Sequence, residues 1–131
     1  MAQVGLSQTN LIHPWLNALR GTSFSVASLY IQIHTGIPGA SGSTGVSVGD
    51  PTRKTVSFSA AAANAIALTG TLPVFTNGGT SETITHVSFW DASSGGNFRW
   101  SSSLGTAKPW SSADQITITS AGLSVGPQAL S

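Results

Sequence analysis

Charge is the scarcest commodity in this sequence: five Lys and Arg and four Asp and Glu among 131 residues. At 7% charged, against about 25% in an ordinary soluble domain, the chain has no basic run and no acidic run. Arg53-Lys54 is the only adjacent charged pair. That excludes the electrostatic footprint on which nucleic-acid binding depends. Cysteine is absent, which excludes disulfides and thiol chemistry and leaves the redox compartment unread. No stretch reaches the roughly 20 apolar residues of a membrane span. The start, Met1-Ala2-Gln3-Val4-Gly5, lacks the charged and apolar regions of a secretory signal, so synthesis in a cytoplasm without cleavage is expected.

What is present is a hydrophobic fraction of 40% with a mean hydropathy of +0.17, enough for one folded domain over 1–131. Solubility then rests on Ser, Thr, Asn, Gln and Gly. A surface of that kind loses little desolvation energy on packing against another subunit. A homo-oligomer, by default a closed dimer or trimer, is expected.

Periodicity divides the chain. Leu6, Leu11, Trp15, Leu16 and Leu19 recur near the helical period and predict one helix over about 6–20, its stripe facing the core. Ser7 or Thr9 is the expected cap and Gly21 the stop, and Pro14 either kinks the helix or begins a second turn. From about 28 to 125 the period is two. Strands are expected at Leu29 to His34 with one face buried, Thr55 to Ser59, around Ile66-Leu68 and Leu72-Phe75, at Glu82 to Trp90, Asn97 to Leu104, Gln115 to Thr119, and Leu123 to Val125. Pro73 demotes its strand to an edge or a bulge. The Asp91 to Gly96 turn makes the two strongest runs a hairpin. The fold expected is mostly β, an antiparallel β-sandwich or barrel-like fold with one N-terminal helix and an extended C-terminal tail.

Candidate chemistry is thin. Asp50, before Pro51, and Asp91, opening a Ser-Gly-Gly turn, fit turn formers better than catalysts. His13, His34 and His86 stand singly, without metal-ligand spacing. His34 and His86 are near the ends of strong strands and could meet across a sheet in a shared site, but strand histidines bonded to neighbouring backbone or hydroxyls fit better. No catalytic, metal or cofactor site is assigned. The Gly36 to Pro51 loop, with Ile37 and Pro38, reads as flexible or partner-docking. Trp100 and Trp110 are the tryptophans assigned to an interface or ligand contact, Trp110 being the one most expected at the surface.

The order of segments adds a resemblance. Leu29-Tyr30-Ile31-Gln32-Ile33-His34-Thr35-Gly36-Ile37-Pro38-Gly39, then Arg53-Lys54-Thr55-Val56-Ser57-Phe58, then Thr85-His86-Val87-Ser88-Phe89-Trp90-Asp91-Ala92 resemble a family of small minor tail or tail-fibre-like virion proteins of actinobacterial tailed phages. Lys108-Pro109-Trp110 does not match the pattern. The resemblance implies a non-enzymatic virion protein made in the bacterial host cytoplasm, a minor tail protein or a capsid decoration protein, partnered by other virion proteins. It implies no catalytic residue and gives His34 and His86 a structural role at strand ends. The alternative is a carbohydrate-binding β-sandwich module touching a host glycan.

Overall fold

The computed structural model describes residues 4–124. The expected tail and Val125 lie outside them. At the start, a π-helical turn, Gln8–Ile12, runs directly into a short helix, α1 (His13–Ala18). The Ser7 hydroxyl caps it by accepting from Asn10 N at 3.1 Å. Pro14 explains the widened turn. It has no N–H to offer the Asn10 carbonyl four residues back, and its ring crowds that carbonyl. The freed Asn10 oxygen accepts instead from the Arg99 guanidinium. Leu19 ends the helix, and Gly21 (φ +90°) takes the left-handed turn that lets the Thr22 N–H reach back to Asn17 O at 3.1 Å.

Eight strands follow: β1 (Leu29–His34), β2 (Lys54–Phe58), β3 (Ala65–Thr69), β4 (Val74–Thr76), β5 (Glu82–Trp90), β6 (Phe98–Trp110), β7 (Gln115–Thr117) and β8 (Gly122–Ser124). All pairings are antiparallel. Six strands form a curled sheet in the order β6-β5-β1-β2-β3-β8, and β4 pairs with β7 in a small second sheet. The mostly β, antiparallel class expected from the sequence is therefore what the chain adopts, including the β5–β6 hairpin. Pro73 sits just outside β4, where its missing N–H interrupts no ladder bond and its carbonyl accepts from Ile118 N at 3.1 Å.

Register explains the core. Ile31 pairs with Phe89 and Ile33 with Val87, so these side chains share one face. Phe89 stacks on Trp100 with ring centroids 4.3 Å apart, and Phe58 tilts against both at 5.9 and 5.8 Å. Such aromatic pairs add about 0.5–1.5 kcal/mol each beyond burial. Phe75, Ile84, Trp110 and Ile118 join the same cluster and tie the small sheet to the large one.

Three expectations need correction. The opposite face of β1 is buried too: Gln32 and His34 are 8% and 0% exposed, because the following loop folds back over them. Strand β6 continues past Leu104 to Trp110, crossing an irregularity where the register jumps from Ile84↔Lys108 to His86↔Ser103. Gly105 and Pro109 hide that continuation from a pattern reading. The helical stripe does not face the core. Only Leu11 is buried, while Trp15, Leu16 and Leu19 are 39%, 56% and 85% exposed.

Candidate functional site

The loop between β1 and β2 is the most heavily bonded irregular segment, so the expectation that it is flexible is also corrected. It is pinned at two ends by titratable side chains. At one end is His34. The Thr44 carbonyl, 2.8 Å from Nδ1, can only accept, so Nδ1 carries the ring proton. Nε2 then accepts from the Ser88 hydroxyl at 2.6 Å, and Ser88 in turn accepts from Trp90 Nε1 at 2.8 Å. Every polar atom of this relay is satisfied. Burial pushes the His34 pKa down, against the opposing Thr44 bond and with help from His86 and Arg53.

A serine hydroxyl on a histidine is the opening of a nucleophilic triad. Here Ser88 is 0% exposed and the third member is a carbonyl, so the pair is closed to any substrate. His86 is the register partner of His34; its Nδ1 lies 2.8 Å from Thr85 Oγ1. The two histidines do meet across the sheet, but no carboxylate joins them. Among the described residues no group of three or more His, Asp or Glu gathers as a metal site would.

At the other end stands Glu82, the first residue of β5. Its carboxylate accepts from the Ser47 hydroxyl, from Val48 N at 3.1 Å, from Gly49 N at 3.0 Å and from Trp110 Nε1 at 3.1 Å. Burial would raise its pKa, but these four donors outweigh it and hold the carboxyl below its usual value. Asp50 continues the stitching, accepting from Thr52 N at 3.1 Å and Thr76 N at 3.2 Å beside Lys54 at 3.4 Å. Here too hydrogen bonds outweigh burial and lower the pKa. Sequence reasoning gave Glu82 no role. The available signal was an acid opening the strongest strand of a chain with so few.

Asp91 organises the hairpin turn. It accepts from Asn97 N at 2.6 Å, Asn97 Nδ2 at 2.9 Å and Arg99 Nη2 at 2.7 Å, which overcome burial and lower its pKa. Through Arg99 this turn is coupled to the Asn10 carbonyl and so to the helix. Arg53 lies over the Trp90 ring at 3.7 Å and donates to Ala92 O and Gly95 O at 2.9 and 2.7 Å.

The structure separates the proposed contact residues. Trp110 is 4% exposed, not the surface indole expected, because β6 carries it into the core against Glu82. Trp100 is 4% exposed and stacked on Phe89. Pro38 is fully buried, whereas Ile37 is 39% exposed. A shallow open depression of ≈ 440 Å³ lies beside Trp110, lined by polar groups including Ser81, Thr83, Ser111 and Asp114. The larger apolar exposure is elsewhere, on the helix. No helix among the described residues is long and apolar enough to cross a membrane.

No curated protein matches the sequence. A family model described as podophage GP4 fiber I protein gp80 matches residues 7–126, from the helix cap through the last strand, and the chain belongs to that family of phage fibre proteins.

Proposed function

We propose that the chain is a non-enzymatic structural component of a phage tail fibre, acting through subunit interfaces with other virion proteins and with copies of itself. The observation that carries this is the family match over 7–126. A fibre position is favoured over capsid decoration by the family's description, and an actinobacterial host by the sequence resemblance alone. The non-catalytic part is supported by the geometry: Ser88 spends its hydroxyl on His34 and Trp90, and His34 and Glu82 bond the β1–β2 loop. A surface of low charge suits permanent packing, since little hydration is lost at a contact.

The host-glycan reading has less support. A sugar ring stacks on an exposed indole face, and Trp90, Trp100 and Trp110 are buried, which leaves Trp15 on the helix as the one exposed indole. Mass spectrometry of purified particles, compared with particles from a phage lacking this gene, tests the main reading. The protein should be present at fixed stoichiometry in the first and absent with the fibre in the second. Particles that keep intact fibres without it would overturn the proposal.

A further inference from the structure

We infer that the Arg20–Gly21 bond is the chain's cleavage site for proteases that cut after a basic residue, and that the cut leaves the N-terminal segment docked in place. Five Lys and Arg are all the sequence offers, and the fold withholds the other four. Arg99 is 8% exposed inside β6, bound to the Asn10 carbonyl and to Asp91. Arg53 lies on the Trp90 ring and donates to Ala92 O and Gly95 O. Lys54 stands within β2, paired to Ile31 of β1 and bridged to Asp50 at 3.4 Å. Lys108 pairs with Ile84 and precedes Pro109, whose ring nitrogen, lacking a hydrogen and fixing its own φ, makes a poor scissile bond.

Arg20 differs on every count. It is exposed, as are Leu19, Gly21, Thr22 and Ser23, and it forms no ion pair among the described residues. A protease holds its substrate as an extended strand, so the chain around the cut must be drawn out of its fold. Here that costs the surface bonds of a helix end: Arg20 N to Asn17 O at 3.1 Å, Gly21 N to Ala18 O at 3.2 Å and Thr22 N to Asn17 O at 3.1 Å. Water replaces each of them. Gly21 leaves φ +90° for an extended conformation with no side chain in the way. From Ser23 to Ala27 no backbone hydrogen bond joins the segment to the rest of the described chain. Exposed turns of small polar residues are where nicking concentrates. The reaction is hydrolysis: water adds its hydroxyl to the Arg20 carbonyl carbon, the C–N bond breaks, and the Gly21 nitrogen takes the proton as a new N-terminus.

What holds the severed segment is independent of that bond. Ser7 N donates to Arg99 O at 2.7 Å, Ser101 N to Gly5 O at 2.9 Å and Gly5 N to Ser101 Oγ at 3.1 Å. The Asn10 carbonyl accepts from Arg99, and Leu11 is buried in the core. Cleavage therefore turns a tethered helix into a separable piece seated on the edge of β6.

The test is digestion of the folded full-length protein with trypsin, followed by intact-mass spectrometry. The first product should be a single nick that splits 1–20 from 21–131. The two pieces should elute together in gel filtration and part only in denaturant. Arg20→Gln should slow the first cut about a thousandfold, because the remaining sites open only with the sheet. Arg20→Lys should be cut like the wild type, and unchanged thermal unfolding establishes that both variants are folded. A first cut at Arg53, Lys54, Arg99 or Lys108, no cut in the folded state, or Arg20→Gln digested at the wild-type rate would each overturn the site. Pieces that separate without denaturant would overturn the docking. The inference stands apart from the fibre reading, which particle composition tests separately.

Discussion

Replacing Glu82 by Gln removes one charge and leaves the shape of the side chain. If the amide oxygen takes the place of Oε1, it still accepts from Ser47, Gly49 and Trp110, while the new NH₂ faces the Val48 N–H, two donors opposed. Hydrogen bonds to a charged group contribute about 1.5–3 kcal/mol against about 1 for neutral ones. Three bonds weakened and one lost sum to about 3–9 kcal/mol at those values, and because Glu82 is partly solvated and the bonds are screened the loss falls to or below the bottom of that range, about 2–3 kcal/mol. For a chain of this length that is a fall of roughly 6–12 °C in Tm. Urea denaturation and amide hydrogen exchange measure both parts, the global loss and the local one. Exchange should accelerate at Val48, Gly49 and Asp50, whose N–H groups bond Glu82 or its partner Ser47. A variant within about 0.5 kcal/mol of wild type, with loop exchange unchanged, would refute the claim that Glu82 anchors this loop.

Other perturbations follow from the same geometry. His34 is held neutral, so its contribution to stability is complete above about pH 6.5 and is lost as pH falls below that toward the lowered folded value; a Tm series from pH 7.5 to 5 should slope downward, and His34→Gln should flatten it. Glu82, Asp50 and Asp91, all with lowered pKa values, contribute stability that is present above about pH 4 and lost as pH falls through their folded values. That gives a second, steeper acid transition in circular dichroism. Gly42→Ala places a methyl group 2.2 Å from the Phe98 ring at φ +74°, and should cost about 2 kcal/mol or more by denaturant titration. Ala63 and Asn64, at φ 49° and 62°, form the two-residue turn between Ala62 and Ala65; Ala63→Gly should stabilise by about 0.5–1 kcal/mol, read as a raised Tm.

Much of the fold was legible because β1 alternates cleanly, β5 is rich in β-branched and aromatic residues, and the Asp91 to Gly96 turn reverses the chain between two strong runs. The length of β6 was not, since Gly105, Lys108 and Pro109 carry loop chemistry within a strand interrupted by a register jump. The burial of Trp110 follows from that strand and was illegible for the same reason. The helix was found but its orientation was not. Periodicity reports that one face is apolar, never what covers it, and here Pro14 and the Arg99 bond to Asn10 fix Leu11 inward and the rest of the stripe outward. The loop between β1 and β2 looked flexible by composition, because its order comes from contacts distant in sequence. Glu82 lies 33 residues from Gly49, and Thr44 is 10 residues from His34. The candidate contact residues Ile37 and Trp100 ended in opposite settings, one exposed and one stacked in the core, which sequence spacing alone does not separate.

The most direct test of the central claim is to locate the protein on the intact particle. Gold-labelled antibody against the folded chain, viewed by electron microscopy on purified phage, should decorate the tail fibres and leave the capsid shell bare. Label confined to the capsid, or none on particles whose fibres are intact and accessible, would contradict the account.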